Sequence, residues 1–257
     1  MAYDWQEDAK GCYDLAIAAK RERWLVDNVP GVERARVIGR CELLQGDCRA
    51  IVNALSFDAI CTDPPYGLGD KWKGGAGGKK SSWRIPQSEA MKWDMEAPDF
   101  VPQLVLGHTA IVWGGNYFAF PPSRGWLVWD KKQRGTWTTG HTELAWSSLD
   151  QPVRAYSLSQ VEAHTNMDKQ HPAQKPLEIM EWCLGFLPDA DTILDPFMGS
   201  GTTLVACAKQ GRKGIGIELD SGYFDIACKR VEEAYRQPDL FVDNPKPQTP
   251  VQEGFDL

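Results

Sequence analysis

Two stretches of this 257-residue chain gather residue types that can do chemistry at close range. The first is Asp63-Pro64-Pro65-Tyr66, which follows the apolar run FDAICT at 57–62. Such a run reads as a buried strand, so Asp63 falls at the carboxyl edge of a sheet, where open α/β sheets bind ligands. Two prolines fix the backbone and remove two N–H donors. What remains is a rigid set of acceptors, the Asp63 carboxylate and the Pro64 carbonyl, beside the ring of Tyr66. Two fixed acceptors suit the exocyclic amine of a base, which has two hydrogens to donate. Holding both raises electron density on the nitrogen and aims it, while Tyr66 can stack on the base. A tight turn at a strand end would use the same residues. At about 5% per residue, however, a given tetrapeptide arises by chance in roughly one in 600 chains of this size. The second stretch then favours the catalytic account.

That second stretch is TILDPFMGSGTTLVACAKQGRKGIGIELD at 192–220: strand, glycine turn, helix, strand, acid. Gly199 and Gly201 allow a tight turn and a close backbone approach to a ligand. Ser200, Thr202 and Thr203 sit where the helix begins, so hydroxyls and free amides are expected to face the ligand. Glu218 ends the next strand, 19 positions after Gly199, where an acid can accept from both ribose hydroxyls of an adenosine. A nucleoside cofactor is therefore expected. No Gly-Lys-Ser/Thr follows the turn, which argues against a triphosphate loop, and Leu204 stands where a dinucleotide fingerprint would want a third glycine.

The elements that must position these stretches follow from apolar patterning. Strands are expected at 42–45, 57–62, 109–113, 126–129, 142–146, 192–195 and 213–218, and helices at 9–26, 49–55, 176–187, 201–210 and 222–236. Alternating strands and helices imply a mostly parallel sheet covered on both faces. Residues 67–98, rich in Gly, Lys and Ser, read as a long loop, and 147–174 as polar and irregular. The expected organisation is one catalytic domain over 1–236, with inserted loops at about 67–98 and 147–170. A Pro-rich tail follows at 237–257, with four prolines from Pro238 on.

With both stretches placed, the chain resembles the amino-methylating DNA methyltransferases, which act on N6 of adenine or N4 of cytosine, of the class in which DPPY precedes the FxGxG cofactor motif. DPPY at 63–66 matches the catalytic tetrapeptide, FMGSGTT at 197–203 the cofactor loop and HPAQKPLEIM at 171–180 the segment leading into it. QGDC at 45–48 is similar to the short acidic motif before the catalytic strand. The likeness covers about residues 41–236. It implies a Rossmann-like, S-adenosylmethionine-dependent fold with a seven-stranded sheet, a flipped target base and often a homodimer. Asp47, Cys48, Asp63, Asp195, Pro196, Phe197, Gly199, Ser200, Gly201, Thr202, Thr203 and Glu218 would line the cofactor, with Lys175 approaching its methionine carboxylate. Members acting on adenine usually carry Asp or Asn before Pro-Pro-Tyr and those acting on cytosine N4 usually Ser, so Asp63 favours adenine. Carbon-5 methylation of cytosine needs a thiolate, normally in a Pro-Cys pair that this sequence lacks. Relatives acting on RNA or on a protein glutamine carry Asn-Pro-Pro-Tyr, and an inactive partner subunit need not keep DPPY at all.

Composition sets the remaining bounds. Hydrophobic residues at 42% and charged residues at 25% are ordinary for a soluble globular protein. No apolar run of about 18 residues exists to span a membrane, and the polar N-terminus MAYDWQEDAKGCYD does not read as a secretory signal. Seven scattered cysteines form no CxxC pair and read as reduced thiols of a cytosolic protein, with no metal-ligand spacing. A net charge of −7 argues against coating nucleic acid by bulk charge but leaves local patches open. Lys71, Lys73, Lys79, Lys80 and Arg84 form one candidate DNA-binding patch, alongside Trp72 and Trp83, and Lys131, Lys132 and Arg134 a second. Finally, QPDLF at 237–241 resembles the short peptide by which bacterial proteins dock on the sliding clamp, with Gln237, Leu240 and Phe241 as the contacts. The simpler account is that Leu240 and Phe241 fold back on the body.

Overall fold

The computed structural model describes residues 15–68, 94, 96–133, 140–159 and 174–236. Its helices are α1 (Leu15–Asn28), α2 (Cys48–Ile51), α3 (Val101–Val105), α4 (Leu177–Leu184), α5 (Thr202–Lys209) and α6 (Ser221–Arg236). Its strands are β1 (Val32–Ile38), β2 (Cys41–Gly46), β3 (Ala59–Thr62), β4 (Thr109–Trp113), β5 (Leu127–Asp130), β6 (Thr142–Ser147), β7 (Arg154–Ser157), β8 (Thr192–Asp195) and β9 (Lys213–Glu218). They form one sheet in the order β1-β2-β9-β8-β3-β4-β6-β5-β7. Five neighbouring pairs run parallel, and β1–β2, β4–β6 and β5–β6 run antiparallel. The expected Rossmann-like α/β architecture is present.

Among the described residues the sheet has nine strands where the sequence predicts seven. The seven are all found, and β1 and β7 extend them at the two edges. In β1, VERARVI, a register shift between Val32 and Arg34 breaks the period-two pattern. In β7 only Arg154 to Ser157 pair, so four residues carry no legible period. The segment 147–170 is thus not irregular throughout.

Alternation on the central strands sends side chains to opposite faces. Ile60, Ala110 and Val112 join Leu25 of α1, Ile51 of α2 and Val101 of α3 in one apolar cluster. Ala59, Cys61, Ile111 and Trp113 join Ile179 and Cys183 of α4 and Ala206 of α5 in another. Helices therefore cover both faces, and β3 at the centre is buried throughout. No described helix is long and apolar enough to cross a membrane. The six described cysteines are free and buried.

Candidate active site

The sheet order decides where chemistry can occur. From β8 the chain passes through α5 to β9 on one side, whereas from β3 it continues to β4 on the other. A crevice forms where neighbouring parallel strands send their connections in opposite directions. The DPPY turn leaves β3 and the glycine turn leaves β8, so the two stretches flank this crevice although they lie far apart in sequence. Thr62 closes the gap by donating its hydroxyl to Asp195 Oδ1 at 2.6 Å.

Four acids stand at the carboxyl ends of four successive strands: Asp47 after β2, Glu218 on β9, Asp195 on β8 and Asp63 after β3. Strand spacing puts Glu218 and Asp63 two steps apart, roughly 10 Å. Glu218 Oε2 accepts from the Gly199 amide at 2.9 Å and Oε1 from Asp220 N at 2.8 Å. Burial pushes its carboxyl up to about 7, against the pull of those amides. Gly199 and Gly201 adopt φ of 51° and 80°, and a Cβ built on Gly199 would meet no atom within 4 Å. The turn therefore presents bare backbone to open space next to an acid, which fits a nucleoside. Asp47 caps α2 by accepting from Arg49 N at 2.9 Å, and Arg49 holds its carboxyl below the usual range. Cys48 is buried, and burial pushes its thiol up to about 12. Pro196 is buried, and Phe197 stacks on Phe100 with ring centres 6.0 Å apart.

The hydroxyls of the turn do not face the ligand side as expected. Ser200 Oγ and Thr202 Oγ1 lie 2.8 and 3.2 Å from Arg230 of α6, and Thr203 donates to Asp195 Oδ2 at 2.6 Å. Short hydroxyls at a helix start are drawn to the nearest fixed charges, which the tertiary fold supplies. Asp195 also accepts from Phe197 N at 3.1 Å, so protein donors occupy both of its oxygens. It is 3% exposed and ties the turn to β3 and to the start of α5. Burial pushes its carboxyl up to about 6.

At the DPPY turn the structure adds a network of buried charge. Lys175 Nζ lies 2.9 Å from each oxygen of Asp63, 2.9 Å from Tyr66 Oη and 2.8 Å from Glu143 Oε2. Tyr66 donates its hydroxyl to Asp63 Oδ1. Glu143, on β6, is also paired with Lys131, which follows β5. Burial pushes Asp63 up and Lys175 pulls it back. Glu143 feels the same burial, yet Lys175 and Lys131 bring it down to about 2. Burial works against the charge of Lys175, but Asp63 and Glu143 together hold its pKa above the usual lysine range. Lys175, expected to approach a methionine carboxylate, contacts Asp63 and Glu143 in this structure. Pro64 carbonyl accepts no hydrogen bond among the described residues.

Lys131 does not belong to a surface patch: it is 4% exposed and paired with Glu143, because a strand end buried under the site cannot leave its ammonium unpaired. Lys132 is exposed. Lys71, Lys73, Lys79, Lys80, Arg84 and Arg134, and the tail residues Gln237, Leu240 and Phe241, lie outside the described residues.

Sequence reasoning missed Asp94, Tyr117, Glu143 and Arg230. Asp94, 1% exposed, accepts from the amides of Tyr66, Gly67 and Leu68 at 2.6, 2.8 and 3.3 Å and so fixes the DPPY turn. Tyr117 stacks on Tyr66, with ring centres 5.0 Å apart and planes at 17°. Only Glu143 had a legible signal, an acid inside the apolar strand TELAW.

Type II methyltransferase M.ScaI of Streptomyces caespitosus is 48% identical over 63 residues, 24% of this chain and 21% of that protein. Type II methyltransferase M2.DpnII of Streptococcus pneumoniae is 47% identical over 64 residues, 24% of each. The chain thus matches about a quarter of the length of these relatives. Among solved structures, the cytosine-N4-specific PvuII DNA methyltransferase aligns over 78% of this chain and 93% of its own, at 16% identity and a TM-score of 0.47. The family model described as DNA methylase, of the N6/N4 type, matches residues 79–229. Because that match takes in more than half of the sequence and joins the glycine turn to the strand that ends in Glu218, the chain belongs to the N6/N4 DNA methylase family.

Proposed function

We propose that this chain transfers a methyl group from S-adenosylmethionine to N6 of adenine in DNA, directly and without a covalent enzyme intermediate or a metal. The observation that carries the reading is Asp63 at the crevice, fixed by Pro-Pro and Asp94, one strand from the glycine turn. S-adenosylmethionine supplies an electrophilic methyl on a sulfonium. Glu218 takes the ribose hydroxyls and the Gly199–Gly201 backbone lies along the nucleoside. The target base leaves the helix, at a cost of a few kcal/mol, and enters beside Tyr66.

Asp63 and the Pro64 carbonyl then accept the two amine hydrogens. They aim the nitrogen lone pair at the methyl carbon and stabilise the positive charge growing on nitrogen; as the N–C bond forms the C–S bond breaks, S-adenosylhomocysteine leaves, and the methylated nitrogen loses one proton to solvent. Lone-pair counting supports this. A carboxylate has about four acceptor positions. Tyr66 and Lys175 occupy two on Oδ1 and Lys175 one on Oδ2, which leaves one on Oδ2 for the amine. Asp at position 63, rather than Ser, is what favours adenine over cytosine. DNA is held by the lysines of 67–98, and the choice of site comes from that loop and from 147–170.

Modification-sensitive sequencing of DNA from cells expressing the chain tests this directly. N6-methyladenine at a short site is expected. N4-methylcytosine would overturn the choice of base, and label entering only RNA or protein in extracts given labelled cofactor would overturn DNA as the substrate. Full activity in a cofactor-binding Asp63→Ala variant would remove Asp63 from the mechanism.

A further inference from the structure

We propose that Glu143, itself anchored by Lys131, is a positioning residue that holds the Lys175 ammonium on Asp63 and so keeps the amine acceptor a carboxylate. The inference rests on the reading of Asp63 as the acceptor, since a protonated Asp63 would donate a hydrogen where the amine needs it to accept.

The geometry carries it. An ammonium has three hydrogens, and Lys175 Nζ has four oxygens within 2.9 Å: both of Asp63, Tyr66 Oη and Glu143 Oε2. Its remaining directions are closed by the rings of Tyr66 and Trp113, whose centres lie 5.2 and 5.4 Å away. The side chain is 7% exposed. Lys175 therefore spends its hydrogens inside the protein, and among the described residues Glu143, an ion-pair partner, is the one oxygen contact that is not part of the DPPY turn. Glu143 in turn sits between two lysines, one just after β5 and one just before α4, while it projects from β6 itself. Lys131, Glu143, Lys175 and Asp63 make two positive and two negative charges in alternation, so the buried cluster is neutral. Removing one member leaves an uncompensated buried charge.

The groups facing Asp63 are then Lys175 from the segment before α4, Glu143 from β6, Tyr66 from its own turn and Asp195 from the end of β8, with Lys131 behind Glu143. Among the described residues, only Lys175 opposes burial with positive charge in direct contact. If it swings away, Asp63 must protonate at higher pH.

The sign of a pH shift separates positioning from mere proximity. Removing the negative charge of Glu143 with Lys175 left in place would lower the acidity limit of Asp63, because one repulsion is gone. Losing the anchor would raise it. The test measures single-turnover transfer of label from S-adenosylmethionine into unmethylated plasmid DNA, from about pH 5.5 to 9. It uses the full chain and the charge-balanced variant Lys131→Met/Glu143→Gln. The acid limb is expected to move up by about one pH unit, a tenfold loss on the acid side, with rates converging at alkaline pH and cofactor affinity unchanged. An unmoved limb, a limb moved down, or an equal loss at every pH would overturn the proposal. If the double variant does not fold, Glu143→Asp keeps the charge but shortens the reach, and it must move the limb in the same upward sense. No labelling of DNA by the unaltered chain at any pH would instead overturn the methyl-transfer reading on which the proposal rests.

Discussion

Gly199 donates its amide to Glu218 Oε2 at 2.9 Å, which ties the glycine turn to the end of the neighbouring strand. The same carboxylate is the acceptor assigned to the ribose. Because burial pushes Glu218 up to about 7, its charged form disappears as pH falls through neutrality. Hydroxyl donors bind the charged form better, so cofactor affinity should be full above about pH 8 and decline below pH 7. Calorimetric titration with S-adenosylmethionine at several pH values checks this. Glu218→Gln should weaken binding by about 10- to 100-fold at high pH, the worth of a hydrogen bond to a charged group, and abolish the pH dependence. Equal affinity for the two proteins at pH 8 would separate Glu218 from the ribose.

Asp94 satisfies three successive amides that nothing else in the described turn can satisfy. Asp94→Ala should cost about 1–3 kcal/mol in urea unfolding, since three half-buried donors lose their acceptor. Single-turnover transfer should fall far more than cofactor affinity, because the turn it holds is the one carrying Asp63 and Tyr66. A proportional loss of both would make Asp94 a general stability residue.

Gly114 has φ of 67°, and a Cβ there would lie 2.0 Å from Tyr66 Cε1. Gly114→Ala must therefore push the Tyr66 ring aside and also strains the backbone by about 1–2 kcal/mol. Transfer should drop by more than about tenfold, with cofactor binding intact. Tyr117→Ala removes the stacked partner of that ring, a contact worth about 0.5–1.5 kcal/mol, and Tyr117→Phe should retain activity. An active Gly114→Ala protein would show that the observed place of Tyr66 is not required.

The two lysine groups should behave differently toward salt. Lys79→Ala/Lys80→Ala should reduce the slope of log affinity for DNA against log salt by about two, one for each phosphate no longer neutralised. Lys131→Ala should leave that slope unchanged and lower stability instead, because Lys131 faces Glu143. A slope unmoved by the first variant would place the phosphate-binding groups elsewhere.

The chemistry-bearing stretches were legible because each is contiguous. Asp63 to Tyr66, and Phe197 to Thr203, carry their local geometry in their own prolines and glycines, and the apolar runs beside them gave all seven inner strands. What the chain alone could not say is which strands become neighbours. The adjacency of β3 and β8, 133 positions apart at Thr62 and Asp195, turns two separate motifs into one crevice. That same adjacency decides side-chain direction. Ser200 and Thr202 point to Arg230, Asp195 braces the turn, and Lys131 is a buried counter-charge rather than a surface one. A lysine or a hydroxyl has no fixed partner in sequence. Its partner is whatever charge the fold brings within about 3 Å, and burial then forces the pairing because an unpaired charge away from water is too costly to keep.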